Sequence, residues 1–358
     1  MKKKILFIIP NFLEGGAEKN FIRIVNRLDL KLYDIHIVCF EKKGKNLEVL
    51  KDGINIIDLK IKRIYFAIFR ISKVIRKIHP DIVFSWMGYV NAYLAFFIPV
   101  FNKKIKWLCR ETSIPSLLNK SHRFPWLFNF LYKFYNNYDL IISQSKCMTS
   151  DLEKNFGIDE QKIKLINNSI DFKEINDNKD QYPVNSTTGK QNLLFVGGLR
   201  SVKRIEILFQ VLALLPENYC LTIIGNGEEY QKLLTDINTA NLQNRVTILT
   251  DCFNPMPYYQ CSDCLLLSSQ FEGFPNVVLE AFACGCPAIG FDIAGGAKEA
   301  LDNYGGFYLE NKTLTDFAGK IIQVCEFEKL DRNEIIQNCM EKYDIVNVIP
   351  VYNAILQS

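Results

Sequence analysis

Histidine and long apolar runs are both scarce in this chain. Only three of its 358 residues are histidine, which disfavours chemistry that depends on imidazole acids and bases. The longest apolar candidate, residues 92–101, contains Pro99 and is far shorter than the roughly 20 residues of a membrane-spanning helix. The apolar stretch Ile5–Ile9 stops at a proline with no small-residue cleavage pattern, so it predicts a first β-strand rather than a signal peptide.

Cysteine is more frequent than histidine in this chain. The eleven cysteines are an odd number scattered through apolar segments, which is typical of reduced, buried thiols in a cytoplasmic protein. Cys261-x-x-Cys264 and Cys284-x-Cys286 have spacings that also occur in zinc sites. Cys264 opens the apolar run CLLL and Cys284 lies in AFACG, so core packing is the better interpretation. No cluster of metal ligands is recognisable in the sequence, and no metal is expected.

Composition and length indicate two globular domains, and the two halves of the chain differ in net charge. The chain is 48% hydrophobic and 23% charged, and its length exceeds one ordinary hydrophobic core. The first 180 residues hold 31 Lys and Arg against 19 Asp and Glu, whereas the rest hold 12 against 20. Such asymmetry indicates an acidic partner or surface for the first half.

Apolar strands alternate with amphipathic helical patterns along the chain, which indicates parallel sheets covered on both faces. The predicted strands are Ile5–Pro10, Asp34–Phe40, Ile54–Leu59, Asp81–Trp86, Ile105–Cys109, Leu140–Ser143, Ile163–Ile166, Leu193–Gly197, Cys220–Ile224, Val246–Leu249, Cys264–Leu267 and Ala288–Phe291. The predicted helices include Ala17–Leu28, Ile64–Ile78, Ile205–Leu214, Glu228–Thr239, Val277–Ala283 and Thr315–Glu326.

One polar stretch interrupts this alternation. Asp171–Gln191 is rich in Asn, Asp, Lys, Ser and Thr and contains Pro183 and Gly189, so it predicts an interdomain linker. We therefore expect an α/β protein with two Rossmann-like, doubly wound domains, residues 1–175 and 176–343, facing a central cleft. Residues 344–358 are expected to cross back to the first domain.

The segment Glu272–Ala281, EGFPNVVLEA, is the most informative in the chain. Two carboxylates, Glu272 and Glu280, flank Pro275 and an apolar run. Pro275 suits the first turn of a helix, which would place Glu272 in the preceding loop and Glu280 one to two turns into the helix. Backbone N–H groups at the helix start would face a ligand, and the carboxylates could accept hydrogen bonds from sugar or ribose hydroxyls. In isolation, a loop-helix junction with two surface glutamates explains the same residues.

Basic and glycine-rich turns follow several predicted strands. Arg200 and Lys203 follow the strand LLFVGG, where a basic pair can neutralise a diphosphate, although a solvated helix start explains them equally well. The Gly225-Asn226-Gly227 turn follows LTIIG and is by itself an ordinary strand-helix turn. Gly15-Gly16 would let the backbone approach a ligand closely. That segment is not GxGxxG and no suitably placed acidic residue follows, so a dinucleotide site is weakly supported.

Together these segments resemble the family-four retaining glycosyltransferases (glycosyl transferases group 1), which have the GT-B fold of two Rossmann-like domains. The resemblance extends over nearly the whole chain. It is carried by GGAEK at Gly15–Lys19, by the segments Ile142–Asp171 and Asn254–Ile289, by FVGGLRSVKR at Phe195–Arg204 and by IIGNGEE at Ile223–Glu229. The segment Asn254–Ile289 is the most specific of these.

The resemblance implies roles for the matching residues. Glu280 would hold the donor ribose hydroxyls, Glu272 would lie beside the donor sugar, and Lys203 would grip the diphosphate with Arg200. The further donor-binding residues that it implies are Gly15, Gly16, Gly225, Asn254, Phe274, Pro275, Asn276 and Val277, with backbone N–H groups binding the sugar or diphosphate and residues 252–255 meeting the base.

Two positions depart from the family pattern. The family often has arginine directly after the Val-Gly pair, where this chain has Gly198 and reaches Arg200 two residues later. Many members also carry a histidine after the fifth strand of the first domain. Here that strand ends in Cys109-Arg110-Glu111, so Glu111 takes the place as a base, an acceptor-binding group or neither. The histidines of this chain are His36, His79 and His122, and none of them lies there.

The resemblance implies a metal-independent retaining enzyme that transfers a hexose or N-acetylhexosamine from a UDP-sugar to a surface polysaccharide or oligosaccharide. Lysine, arginine and helix dipoles would stabilise the departing diphosphate. Retention would arise by front-face attack within an ion pair, with Glu272 as a positioning group rather than a nucleophile. Two alternatives stay open. One is a non-catalytic GT-B partner subunit, which the missing histidine permits, and the other is a nucleotide-sugar epimerase, which the scarcity of histidine disfavours.

A basic, aromatic-rich region in the first half bears on how the acceptor is bound. Residues 60–77 form a basic amphipathic helical pattern, and Lys103, Lys104, Lys106 and the segment Lys120–Lys133 add charge. The pattern suits a membrane surface and a lipid-diphosphate-linked acceptor, although a core-packed helix with a solvated basic face is equally compatible. No nucleic-acid-binding motif accompanies the charge. We expect a cytoplasmic enzyme that is peripheral at the inner face of the cell membrane.

Overall fold

A computed structural model describes residues 2–13, 15–62, 64–119, 124–180 and 189–358 of the chain. The structure divides into two compact units, Met1–Asn168 with Val348–Ser358, and Ser169–Asn347. Ile170, Phe172 and Ile175, which precede the expected boundary after residue 175, are buried in a hydrophobic cluster of the second unit. No helix of the described ranges is both long and apolar enough to cross a membrane.

The first unit is built on a parallel sheet of seven strands in the order β3-β2-β1-β4-β5-β6-β7. The strands are β1 Lys3–Ile9, β2 Tyr33–Cys39, β3 Asn55–Asp58, β4 Ile82–Trp86, β5 Lys106–Arg110, β6 Leu140–Ser143 and β7 Ile163–Leu165. The helices are α1 Gly16–Arg27, α2 Ala67–Ile78, α3 Gly88–Phe97, α4 Pro115–Asn119, α5 Pro125–Tyr132 and α6 Lys146–Phe156. Because the winding reverses between β1 and β4, the unit has the doubly wound topology.

The second unit repeats this plan with a parallel sheet of six strands. Its strands are β8 Gln191–Val196, β9 Tyr219–Ile224, β10 Val246–Leu249, β11 Cys264–Leu267, β12 Phe271–Glu272, β13 Ala288–Phe291, β14 Ala294–Gly295 and β15 Gly306–Leu309. Its helices are α7 Phe172–Asn178, α8 Glu206–Leu212, α9 Tyr230–Thr239, α10 Met256–Cys261, α11 Asn276–Ala283, α12 Ala297–Leu301, α13 Leu314–Ile322 and α14 Arg332–Tyr343. A final helix, α15 Ile345–Gln357, ends the chain.

The order of the main sheet in the second unit is β10-β9-β8-β11-β13-β15, and β12 pairs separately with β14. The reversal of winding therefore lies between β8 and β11. Successive residues of β11 point to opposite faces, so Leu265 and Leu267 join one hydrophobic cluster while Cys264 and Leu266 join the other. Burial on both faces explains why these strands read as continuous apolar runs.

The predicted fold class is confirmed, since both units are Rossmann-like α/β layers. The linker prediction is wrong for its first part. Residues 172–178 form α7, whose start is capped by the Asp171 side chain accepting from the backbone N–H groups of Lys173 and Glu174. Residues 181–188, including Pro183, lie outside the described residues.

Candidate active site

Lys203 and Glu272, which the sequence places in separate segments, form an ion pair in the second unit. Lys203 ends the 3-10 turn Ser201–Lys203 after β8, and Glu272 ends β12. The Lys203 Nζ lies 2.6 Å from the Glu272 Oε1, and the two side chains are only 19% and 16% exposed. The Ser269 hydroxyl donates to the same Glu272 oxygen at 2.7 Å. A cation and a carboxylate are thus held together in a largely shielded position.

This ion pair lies at the topological switch point of the second sheet. The turn that carries Lys203 follows β8, and the segment Ser269–Glu272 follows β11, the neighbouring strand across the reversal of winding. Doubly wound sheets bind their ligands at the carboxyl ends of the strands at this point. An ammonium group there suits a phosphate group, and a carboxylate suits sugar hydroxyls.

Arg200 lies directly before the turn that ends in Lys203, and its side chain folds towards Gly198. A Cβ atom added at Gly198 would lie 3.2 Å from the Arg200 Nε and 3.5 Å from its Nη2. The guanidinium therefore occupies the space beside residue 198, where the family resemblance expects an arginine side chain.

Helix α11 begins at Asn276, directly after Pro275 and one residue before the predicted start at Val277. Pro275 is the N-cap residue and Asn276 is the first helical residue, followed by Val277. Phe274 is buried and its ring lies 5.8 Å from that of Tyr343. The predicted donor-binding residues Phe274 to Val277 are thus brought together at the amino end of α11, close in sequence to Glu272.

Glu280 lies on α11 and is only 3% exposed. The Tyr259 hydroxyl of α10 donates to the Glu280 Oε2 at 3.2 Å. Burial, followed by the charge of Glu280, raises the pKa of Tyr259 well above its usual value, so this hydroxyl keeps its proton and stays a donor. Tyr259 thereby fixes the orientation of the Glu280 carboxylate.

Two other predicted donor-binding residues, Gly225 and Asn254, make contacts within the second unit. A Cβ atom at Gly225 would overlap the carbonyl oxygen of Gly197, because the turns after β8 and β9 touch there. The Asn254 amide donates to the carbonyl of Asn178 at 2.7 Å and its oxygen accepts from Met256 N–H at 3.1 Å. The Asn254 side chain thus joins the ends of α7 and α10.

In the first unit, the glycine pair lies at the start of α1. Gly15 is the N-cap residue and Gly16 the first residue of this helix, whose first turn carries Glu18. The pair follows β1, one of the two strands at the switch point of this sheet. The structure therefore places Gly15 and Gly16 where a doubly wound domain contacts its ligand.

Glu111 follows β5 and is buried, with 1% of its surface exposed. Its Oε1 accepts hydrogen bonds from the Asn91 amide at 3.1 Å and from the Tyr135 hydroxyl. A Cβ atom at Gly88 would lie 2.7 Å from the other carboxylate oxygen. Burial raises the pKa of Glu111 to about 7, against the opposing effect of hydrogen bonds from Tyr135, Asn91 and Tyr132. A carboxyl group thus lies enclosed in a polar cluster after β5.

The histidines are positioned elsewhere in the first unit. The His36 Nε2 lies 3.2 Å from the Asp34 carboxylate on β2, and His79 caps the carboxyl end of α2 with a left-handed φ of 51°. His122 lies outside the described residues.

Sequence reasoning missed four side chains that orient the candidate residues. Ser269 holds Glu272, Tyr259 holds Glu280, and Asn91 and Tyr135 hold Glu111. Ser269 lies within the family-like segment SSQFEGF, which was the available signal. Tyr259 lies in the same family-like segment, Asn254–Ile289. Asn91 and Tyr135 come from elements that are distant in sequence from Glu111, so no local pattern marks them.

No group of three or more histidine, cysteine, aspartate or glutamate side chains in the described part of the chain is arranged to hold a metal ion. The cysteines whose spacing could suggest zinc are free thiols. Cys264, Cys284 and Cys286 lie in the hydrophobic clusters of the second unit, as predicted from their apolar neighbours.

Two solved structures superpose on nearly the whole chain. Anabaena HepE, in complex with UDP and glucose, superposes with a TM-score of 0.81 at 18% identity, covering 99% of both chains. The apo lipopolysaccharide outer core galactosyltransferase WaaB superposes with a TM-score of 0.75 at 20% identity, covering 99% of both chains. The fold of this protein is therefore the GT-B fold of glycosyltransferases.

Two glycosyltransferase family profiles match the chain. The profile of Glycosyltransferase Family 4 matches residues 14–174, and the profile of Glycosyl transferases group 1 matches residues 176–341. The protein belongs to this glycosyltransferase family and is a transferase enzyme.

Two relatives of this chain come from Campylobacter jejuni. N-acetylgalactosamine-N,N'-diacetylbacillosaminyl-diphospho-undecaprenol 4-alpha-N-acetylgalactosaminyltransferase is 29% identical over 317 residues, which cover 85% of each chain. GalNAc-alpha-(1->4)-GalNAc-alpha-(1->3)-diNAcBac-PP-undecaprenol alpha-1,4-N-acetyl-D-galactosaminyltransferase is 24% identical over 359 residues, which cover 95% of this chain and 93% of the relative. Relatives of this chain thus act on lipid-linked oligosaccharides.

Proposed function

We propose that this protein is a retaining, metal-independent glycosyltransferase that moves a hexose or N-acetylhexosamine from a UDP-sugar to a lipid-linked oligosaccharide or polysaccharide. The observation that carries the proposal is the Lys203–Glu272 ion pair at the switch point of the second sheet. It supplies a cation for a diphosphate and a carboxylate for sugar hydroxyls at the place where doubly wound domains bind their ligands.

The chemistry follows from the charges that develop during transfer. Breaking the anomeric C–O bond of a sugar nucleotide leaves positive charge on the sugar and negative charge on the departing diphosphate. The Lys203 ammonium, assisted by Arg200 and the amino end of α11, stabilises the diphosphate. Because these groups neutralise the leaving group directly, a bound metal ion is not required. The Glu272 carboxylate positions the sugar while the acceptor hydroxyl attacks the face that the diphosphate leaves. The hydroxyl proton passes to the departing diphosphate oxygen.

The donor and acceptor classes are supported by different findings. A solved structure of the same fold, Anabaena HepE, carries UDP and glucose. Two Campylobacter jejuni relatives transfer N-acetylgalactosamine to diphospho-undecaprenol-linked sugars, according to their names. These similarities favour a UDP-sugar donor and an acceptor linked to a lipid diphosphate.

An exposed aromatic and basic surface of the first unit supports action at a membrane. Helix α2 buries Ile68, Ile71 and Ile75 in the core, as a core-packed helix should. Its amino end, with the turn before it, instead exposes Tyr65, Phe66 and Phe69 by 63%, 62% and 71%. The exposed cations around them are Lys60, Lys62, Arg70 and Lys73.

Aromatic rings with neighbouring cations suit the interface of an anionic bilayer. All eleven cysteines are free thiols, which suits a reducing compartment. We therefore propose that the enzyme acts as a peripheral protein at the cytoplasmic face of the cell membrane.

Phe69→Ser should weaken co-sedimentation with vesicles that contain anionic phospholipid. The matched control is Phe327→Ser in the second unit, because Phe327 is also 71% exposed. Equal binding by both variants would count against the membrane surface.

The donor is tested by a thermal-shift screen with UDP-, GDP- and ADP-sugars, followed by transfer to a lipid-diphosphate-linked acceptor in the presence of EDTA. Nuclear magnetic resonance of the product then gives its anomeric configuration. We expect a shift with UDP-sugars, undiminished transfer in EDTA and the same anomer as in the donor. Loss of transfer in EDTA, or the inverted anomer, would contradict the corresponding part of the proposal.

Lys203→Ala tests the site itself. Removal of a cation that stabilises the leaving group should lower turnover by roughly 10²-fold or more. The matched control is Lys232→Ala, because Lys232 forms an exposed ion pair with Glu229 at 3.0 Å in the same unit, and an exposed pair of this kind contributes little. Near-wild-type turnover of Lys203→Ala would exclude its role in transfer.

A further inference from the structure

Arg204, the residue after Lys203, adopts a backbone conformation that favours glycine. Its φ is 47° and its ψ is 45°, the left-handed helical region. In this region an L side chain crowds the following carbonyl, whereas glycine is unstrained. An arginine here therefore needs contacts that offset the strain.

The side chain of Arg204 provides these contacts. Its Nε donates to the carbonyl of Ser268 at 2.7 Å. Its Nη2 donates to the carbonyls of Ser269 at 2.9 Å, Asp292 at 2.7 Å and Phe291 at 3.4 Å. Ser268 and Ser269 follow β11, while Phe291 and Asp292 lie at the end of β13. One guanidinium thus joins the carboxyl ends of two neighbouring strands.

The same two segments carry the candidate site. The Ser268 hydroxyl donates to the carbonyl of Lys203 at 2.8 Å, and Gln270 N–H donates to the carbonyl of Val202 at 2.7 Å. Beyond Gln270 the chain enters β12, which ends in Glu272 and pairs with β14. Arg204 therefore fixes the turn that carries Lys203 against the segment that carries Glu272.

We propose that Arg204 is a positioning residue that holds the Lys203 ammonium against the Glu272 carboxylate. The consequence for sugar transfer rests on the proposed function, whereas the geometric part does not. Because Arg204 contacts strand ends rather than the reacting atoms, it acts on transfer through Lys203.

The test compares Arg204→Gly with a matched variant, Arg245→Gly. Glycine at 204 relieves the backbone strain, which limits the risk of misfolding. Arg245 also caps several carbonyls of the second unit, with its Nε donating to Tyr219 at 3.0 Å and its Nη2 to Leu212 and Pro216, each at 2.9 Å. These bonds lie at the amino ends of β9 and β10. Arg245→Gly therefore removes a similar set of hydrogen bonds at the amino ends of the strands, whereas Lys203 lies at the carboxyl ends.

The first readout needs no substrate. Acetylation of Lys203 by an amine-reactive reagent is followed by mass spectrometry, with exposed Lys232 as the internal reference. Arg204→Gly should raise the relative rate at Lys203 by about fivefold or more, because a shielded ion pair becomes a solvated amine. Arg245→Gly should leave the rate unchanged. An unchanged rate at Lys203 in Arg204→Gly, or the same increase in both variants, would overturn the proposal.

The second readout is kinetic. Arg204→Gly should lower kcat by about tenfold or more, and the double variant with Lys203→Ala should be no slower than Lys203→Ala alone, since coupled residues are not additive. Arg204→Lys should restore part of the loss. Additive effects would show that Arg204 does not act through Lys203. If Lys203→Ala keeps wild-type turnover, the proposed function fails, and the acetylation rates still decide the role of Arg204.

Discussion

Replacement of Glu111 by glutamine should change the pH dependence of stability in the first unit. Burial raises the pKa of Glu111 from its ordinary value of 4.5 to about 7. The folded protein therefore binds this proton more tightly than the unfolded chain does. The resulting stabilisation is fully present below about pH 4.5 and is lost as the pH rises through about 7.

The magnitude follows from the size of the pKa shift. At 1.36 kcal/mol per pKa unit, the shift corresponds to roughly 3 kcal/mol. The amide oxygen of a glutamine can accept the hydrogen bonds that Asn91 and Tyr135 now donate to the Glu111 Oε1. Glu111→Gln should therefore match the wild type near pH 4.5 and exceed it by roughly 3 kcal/mol near pH 8.

Tryptophan fluorescence offers an assay that is specific to this unit. All three tryptophans, Trp86, Trp107 and Trp126, belong to the first unit, so urea unfolding followed by their emission reports on it alone. The control is Glu48→Gln, which changes an exposed glutamate of the same unit and should give a profile parallel to the wild type. A Glu111→Gln profile that also stays parallel to the wild type from pH 5 to 8 would refute the reasoning.

Four further predictions concern the second unit. Gly225→Ala should destabilise it by about 1–3 kcal/mol through backbone overlap, whereas Gly319→Ala, with nothing within 4 Å of the new atom, should stabilise α13 by about 0.5–1 kcal/mol. Equal urea midpoints by circular dichroism would contradict both. Glu280→Ala should abolish the thermal shift with the donor, and unchanged donor affinity would remove its ribose role. Gly198→Arg combined with Arg200→Ala should recover part of the turnover lost in Arg200→Ala alone, and a double variant no faster than the single one would refute the spatial equivalence.

The central strands could be predicted from the sequence because they are buried on both faces, as β4, β11 and β13 show. The edge strands β3 and β7 contain no buried residue and were predicted from short apolar stretches. All seven strands of the first sheet and five of the six in the second were predicted. The missed strand is β15, whose residues GFYL are all only half-buried. Helix α7 was missed for a related reason, since only Phe172 and Ile175 of its residues are buried and polar composition dominated the segment.

The candidate site was predictable at the level of segments rather than contacts. Strand order alone places the turn with Lys203 and the segment with Glu272 at carboxyl ends of strands, where ligands bind. Their 2.6 Å separation depends on the pairing of β12 with β14 and on the carbonyl contacts of Arg204. These are long-range contacts of short elements, which leave no periodic pattern in the sequence.

The two departures from the family pattern have different physical outcomes. At Gly198 the side chain of Arg200 folds back, so that its guanidinium lies beside the position that a Cβ atom at residue 198 would take. Glycine at 198 is what leaves that position open. At Glu111 the missing histidine is not replaced by an accessible base, since the carboxyl group is buried and bonded to Asn91 and Tyr135. A cation therefore lies next to residue 198 at the candidate site, whereas the Glu111 carboxyl group is enclosed by the fold.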